Sequence, residues 1–116
     1  MKKLKEAIDD LEHALSFLNK AEKDDFYYSG IAKKFEICFE YAWKHFKQKA
    51  NDEGFEAYSP KEAIKLAGRM GLIDNVEKWL AFLEDRNLGV HDYLGIEQNQ
   101  YLKTIQSFFT EVKKLK

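Results

Sequence analysis

Arg86, Asn87, His91 and Tyr93 fall within about two helical turns of one another, and together they could bind an anion, move a proton and offer a hydroxyl. Arg presents a planar fork suited to phosphate, His titrates near neutrality, and a Tyr hydroxyl either donates a hydrogen bond or attacks as a nucleophile. Their placement is unusual. At about 100° per residue, Val76, Trp79, Leu80, Phe82 and Leu83 form one apolar arc of roughly 160°, and Arg86 and Asn87 fall inside it. Burying these groups unpaired would cost several kcal/mol or more. Either they meet partners inside the fold, or the arc lines a cleft or a subunit interface. An Arg close to a helix C-terminus also has a plainer role, favouring the helix dipole, and a Tyr in this setting can simply pack its ring. On an unbroken helix Arg86 and His91 point about 140° apart. Gly89 is placed to end or bend the helix and bring His91 round towards Arg86.

The run Arg86-Asn87-Leu88-Gly89-Val90-His91-Asp92-Tyr93 resembles the Arg-x4-His-x-Tyr signature of the HEPN superfamily, including the polar residue directly after the Arg. Three further blocks, Lys34 to Lys44, Ser59-Pro60-Lys61-Glu62 and Gly71-Leu72-Ile73-Asp74, look like those of the nucleotidyltransferase substrate-binding protein family, a HEPN branch. The blocks run in the same order over nearly the whole chain. Two local departures stand out: Gly89-Val90 replace small polar residues before the His, and Asp92 sets a negative charge between His91 and Tyr93.

The resemblance implies a partner and two functional classes. Proteins of this branch pair with a separate minimal nucleotidyltransferase, as a substrate-binding or regulatory subunit, often in a two-component toxin-antitoxin module. In such pairs the nucleotidyltransferase transfers AMP to the Tyr of the motif, here Tyr93. The alternative is a metal-independent endoribonuclease in which Arg86 and His91 of two protomers converge on one RNA phosphate. His91 would then move the proton for attack by the ribose 2′-hydroxyl, and Arg86 would stabilise the pentacoordinate anion. A composite cleft requires a homodimer, whose interface is expected to use Trp79, Phe82 and Arg86.

Composition bounds these possibilities. The chain has 116 residues, enough for one domain over residues 1–116, with 45% hydrophobic, 15% aromatic and 34% charged residues. Such a balance supports a packed core under a polar surface rather than disorder. No apolar run approaches the roughly 20 residues of a membrane span, and Met1-Lys2-Lys3-Leu4-Lys5-Glu6 is no signal peptide, so a cytoplasmic location without membrane contact is expected. A formal net charge of −1 excludes strong non-specific nucleic-acid binding. RNA or a nucleotide would have to be held by a local positive pocket around Arg86 and His91.

The elements that position these residues are all helical. Leu4, Ile8, Leu11, Leu15 and Leu18 predict a first helix over about residues 2 to 22. Ile31, Phe35, Cys38, Phe39, Ala42 and Phe46 predict a long second helix, about residues 26 to 50, closed by Asn51-Asp52-Glu53-Gly54. Ser59-Pro60-Lys61-Glu62 is a capping box with Pro at the first helical position, opening a short helix that stops near Gly71. Asp74-Asn75-Val76-Glu77 starts the motif-bearing helix, and Tyr101, Ile105, Phe108, Val112 and Leu115 mark the last, about residues 97 to 114. The expected fold is an all-α, up-and-down four-helix bundle with a short extra helix.

Other reactive side chains read as structural. Cys38 sits in an apolar helical run, His13 lies opposite the first apolar stripe, and His45 borders the second. No CxxC, HExxH, Gly-rich phosphate loop or usefully spaced carboxylate pair occurs, so neither a metal nor another cofactor is expected.

Overall fold

A computed structural model describes residues 1–90 and 97–115, and among these residues there are six α-helices and a closing 3-10 turn. The helices are α1 (Lys2–Leu15), α2 (Leu18–Ala21), α3 (Asp25–Asp52), α4 (Pro60–Arg69), α5 (Val76–Val90) and α6 (Gln98–Val112). The architecture is the all-α, up-and-down bundle the periodicity predicts: α1, α3, α5 and α6 are the four main helices and α4 is the extra one. The long α3 packs against α1, α2, α4 and α6, while α5 bridges α4 and α6.

Local chemistry sets the helix ends. The Asp24 carboxylate accepts from Phe26 N at 2.9 Å, Asn75 Oδ1 from Lys78 N at 3.0 Å, and Glu97 from the amides of Asn99 and Gln100. Each satisfies a donor the first turn leaves orphaned. Ser59 Oγ accepts from Glu62 N at 3.2 Å as a capping box requires, but Glu62 reaches back one residue further, to Tyr58 N at 3.3 Å. Positive φ values of 85° at Gly54 and 76° at Gly71 turn the chain after α3 and α4.

The predicted first helix divides. Ser16 Oγ donates to the His13 carbonyl at 2.6 Å, and the amides of Ser16 and Phe17 bond three residues back, tightening the turn before α2. Apolar periodicity continues across the break, which hides it from a pattern of spacings.

One aromatic cluster forms the centre of the core. Phe35, Phe39 and Phe46 of α3 meet Trp79 and Phe82 of α5 and Phe108 of α6, all buried. Ring centroids are 5.0 Å apart for Phe35 and Phe108, 5.1 Å for Phe46 and Trp79, and 5.6 Å for Phe82 and Phe108. Edge-to-face pairs at these distances contribute about 0.5–1.5 kcal/mol each beyond area burial. The expected dimer interface is corrected here. Trp79 and Phe82 are 1% and 3% exposed within a single chain, so they have no surface left to offer a second copy. The apolar arc of α5 packs against α3, α4 and α6 of its own fold.

Candidate functional site

Arg86 continues the buried face of α5, four residues beyond Phe82 and seven beyond Trp79, and emerges where that face meets the outer side of α3. Its side chain is 29% exposed, and Nη2 stands 3.8 Å from Glu40 Oε2. Glu40 is the centre of a small network. Its Oε2 accepts from Trp43 Nε1 at 3.0 Å, and its Oε1 lies 3.3 Å from Lys44 Nζ. Burial pushes the Glu40 carboxyl up, but the hydrogen bonds from Trp43 and Lys44 and the charges of Lys44 and Arg86 outweigh it and hold the pKa below the usual glutamate value. Glu40 is therefore the anion that currently faces Arg86.

Arg86, Glu40 and Lys44 line an open cleft of about 470 Å³, with Lys33, Glu36, Ile37 and Tyr41 completing its walls. Three cations and two carboxylates meet there, so the local balance is positive on a chain whose formal charge is −1. At a partly screened site a loose pair such as Arg86 and Glu40 contributes at most about 1 kcal/mol. An incoming phosphate, with more acceptor oxygens and a bidentate match to guanidinium, can compete for Arg86. Arg86 Nε is buried and has no hydrogen-bond partner among the described residues, which leaves one edge of the fork unused.

Asn87 departs from its expected place. Rather than lying inside the apolar arc it is exposed, and its Oδ1 accepts from Arg86 Nη1 at 3.2 Å. This contact helps orient the guanidinium. Gly89 has a role beyond the one predicted. As described, α5 runs one residue past Gly89, to Val90, and the turn expected to bring His91 round lies outside the described residues. A Cβ added at Gly89 would lie 2.6 Å from both Cε1 and the hydroxyl oxygen of Tyr101, so glycine is required there for close approach of α6. His91 and Tyr93, the proposed proton carrier and modification site, lie outside the described residues.

Glu40, Lys44 and Lys33 are the site residues that spacing did not single out. Glu40 and Lys44 are an i,i+4 pair, which on sequence alone reads as a solvated helix face. The remaining reactive groups are structural. Cys38 is fully buried, and burial followed by the nearby Asp10 charge pushes its thiol up to about 12. His45 is half-buried and its pKa is lowered, first by desolvation and then by Lys49 and the amino terminus. Among the described residues no three His, Cys, Asp or Glu side chains gather as a metal site would require. No helix among them is long and apolar enough to cross a membrane.

Comparison with known proteins adds three findings. The family described as nucleotidyltransferase substrate binding protein like matches residues 1–116. A probable ribonuclease HepT from Haemophilus influenzae is 33% identical over 70 residues, 56% of this chain and 48% of that protein, so the match spans about half of the relative. A solved structure of the tri-AMPylated Shewanella oneidensis HEPN toxin in complex with MNT antitoxin superposes with a TM-score of 0.82 at 14% identity, covering 98% of this chain and 88% of that one. At that identity the likeness shows the fold.

Proposed function

Because the chain belongs to the nucleotidyltransferase substrate-binding protein-like family, we propose that it acts, as a single cytoplasmic HEPN-like domain, with a separate minimal nucleotidyltransferase in a toxin-antitoxin type module. The observation that carries this reading is the half-buried Arg86 set among Lys33 and Lys44, a local anion site on a chain with no basic excess. The neighbouring fold is that of a toxin whose partner is an MNT antitoxin and which is AMPylated. The same modification is proposed for this chain. The Tyr93 hydroxyl attacks the α-phosphate of ATP; its oxygen forms the new phosphorus bond, pyrophosphate leaves with the broken one, and the phenolic proton passes to solvent or to a base of the partner. The attached nucleotide then competes for the anion site at Arg86.

A second reading, favoured by the probable ribonuclease among the relatives, is compatible with the first. A ribose 2′-hydroxyl attacks the adjacent RNA phosphate, the bond to the 5′-oxygen breaks, and a cyclic phosphate and a free 5′-hydroxyl result. Arg86, with Asn87 orienting it, stabilises the anionic phosphorus centre, while His91 accepts or returns the proton. Two copies would meet over the outer face of α3, where Ile37, Tyr41 and Arg86 remain accessible, rather than over Trp79 and Phe82. Co-expression with a minimal nucleotidyltransferase from the same genome tests the partnership: the two should co-purify at fixed stoichiometry. Separation of the two chains during gel filtration at micromolar concentration would contradict it.

A further inference from the structure

A second cavity, of about 460 Å³, adjoins the Arg86 cleft and shares Lys33 and Glu36 with it as a common wall. Gly89, on its α5 side, lies three residues past Arg86, about 4.5 Å further along the helix axis. The two spaces differ in charge. Where the Arg86 cleft has an excess of cations, this cavity sets Lys33 against Asp25 and Glu36. It therefore disfavours a phosphate but offers carboxylate acceptors for amino and hydroxyl groups, and the Gln98 amide adds both a donor and an acceptor.

Its deep wall is aromatic. Tyr28 and Tyr101 have ring centroids 6.5 Å apart, and Tyr101, 1% exposed, has a hydroxyl without a hydrogen-bond partner among the described residues. Burial, then Glu36 and Tyr28, raise the Tyr101 pKa, so the hydroxyl stays neutral and able to donate. A buried polar group without a partner is destabilising. Such a cost is offset when a ligand supplies the partner. The volume lies within the range of small-ligand sites, and aromatic walls with polar edges suit unstacked bases.

We propose that this cavity is a nucleoside subsite, taking the base and ribose of a nucleotide whose phosphate is held at Arg86. The assignment rests on the reading of Arg86 as a phosphate site, and it adds a recognition element to a cleft that otherwise sees only charge. The nucleotide could be one unit of an RNA strand or a free mononucleotide; both present the same chemistry.

The test titrates the full chain with the four ribonucleosides, their 3′-monophosphates, a short single-stranded oligoribonucleotide and inorganic phosphate. Side-chain amide and aromatic NMR signals of Gln98 and Tyr101 report the binding. At least one nucleoside should shift both signals saturably, and equally in Arg86→Ala. Its 3′-monophosphate should bind about tenfold more tightly in the wild type but not in Arg86→Ala. Ser29→Leu, which fills the cavity, and Gln98→Ala, an exposed change that tests the polar edge without risk to folding, should each weaken nucleoside binding by about tenfold. Tighter binding of the oligonucleotide than of any monophosphate identifies a strand as the source. Tighter monophosphate binding identifies the free nucleotide. If phosphate or RNA binds in an Arg86-dependent way while every nucleoside leaves Gln98 and Tyr101 unmoved, the subsite is wrong and the phosphate site stands. Nucleoside binding with no gain from the phosphate would instead overturn the role given to Arg86.

Discussion

Arg86 of α5 and Glu40 of α3 face each other across the cleft, Nη2 and Oε2 3.8 Å apart, and the same carboxylate oxygen accepts from Trp43 Nε1 at 3.0 Å. Glu40 thus supports Arg86 and, on the proposed reading, is the anion that an incoming phosphate has to displace. Arg86→Ala should lower phosphate or RNA affinity at least tenfold with the helical signal unchanged. Glu40→Gln, which keeps the shape and removes the charge, should raise affinity several-fold while changing stability by no more than about 1 kcal/mol. Titration calorimetry with a short RNA and thermal unfolding check both. Weaker binding in Glu40→Gln would show that the carboxylate serves chiefly to hold Arg86 in place.

The burial of Trp79 and Phe82 inside one chain changes what their mutation should do. Trp79→Ala and Phe82→Ala should each cost about 3–5 kcal/mol of stability, enough to unfold much of the population in a small domain. Denaturant unfolding followed at several protein concentrations separates this from loss of a dimer. A midpoint that depends on protein concentration only in the wild type would restore these residues to an interface.

Gly89→Ala tests the close approach of α5 to Tyr101. The new methyl meets the Tyr101 ring, and the expected loss is about 1–3 kcal/mol from overpacking, larger than the roughly 1 kcal/mol an alanine gains in helix propensity. Tyr101→Phe alone should be neutral or stabilising, because it removes a hydroxyl that is unpartnered among the described residues. Combining the two should not rescue Gly89→Ala, since Cε1 also lies 2.6 Å from the added Cβ. Thermal melts of the three variants decide.

Much of this arrangement is legible in the residue pattern, and the exceptions have physical causes. Apolar spacing and the caps at Ser59 and Asn75 locate the helices, because each is a local signal. The break at Ser16 escapes it, since a side-chain bond to His13 interrupts the helix without disturbing the apolar stripe. Arg86 is conspicuous because it interrupts an apolar arc. Its partner Glu40 is not, because that contact joins residues 46 positions apart in sequence on two separate helices. The arc of α5 is equally ambiguous: an apolar face looks the same whether α3, α4 and α6 or a second copy covers it.

Alkaline stability should report Cys38. Its thiol titrates at about 12 in the fold against 9.0 unfolded, so the folded state retains the proton over that interval and stability falls as pH rises from about 9 towards 12. Cys38→Ala should flatten part of that decline, the rest belonging to Tyr101, whose pKa is also raised. Glu40 acts in the opposite sense: its lowered pKa gives stability that is present above about 4.5 and lost as pH falls below it. Urea midpoints across the pH range measure both limbs. A thiol reagent that labels the native protein rapidly at pH 8 would contradict the buried, protonated state of Cys38.

The central claim is that a separate nucleotidyltransferase modifies this chain at Tyr93 and thereby closes the anion site at Arg86. Intact-mass analysis after incubation with that enzyme, ATP and magnesium tests it most directly. The account predicts addition of AMP to the wild type, none to Tyr93→Phe, and loss of phosphate or RNA binding in the modified protein. No added mass, or addition that persists in Tyr93→Phe, would contradict it.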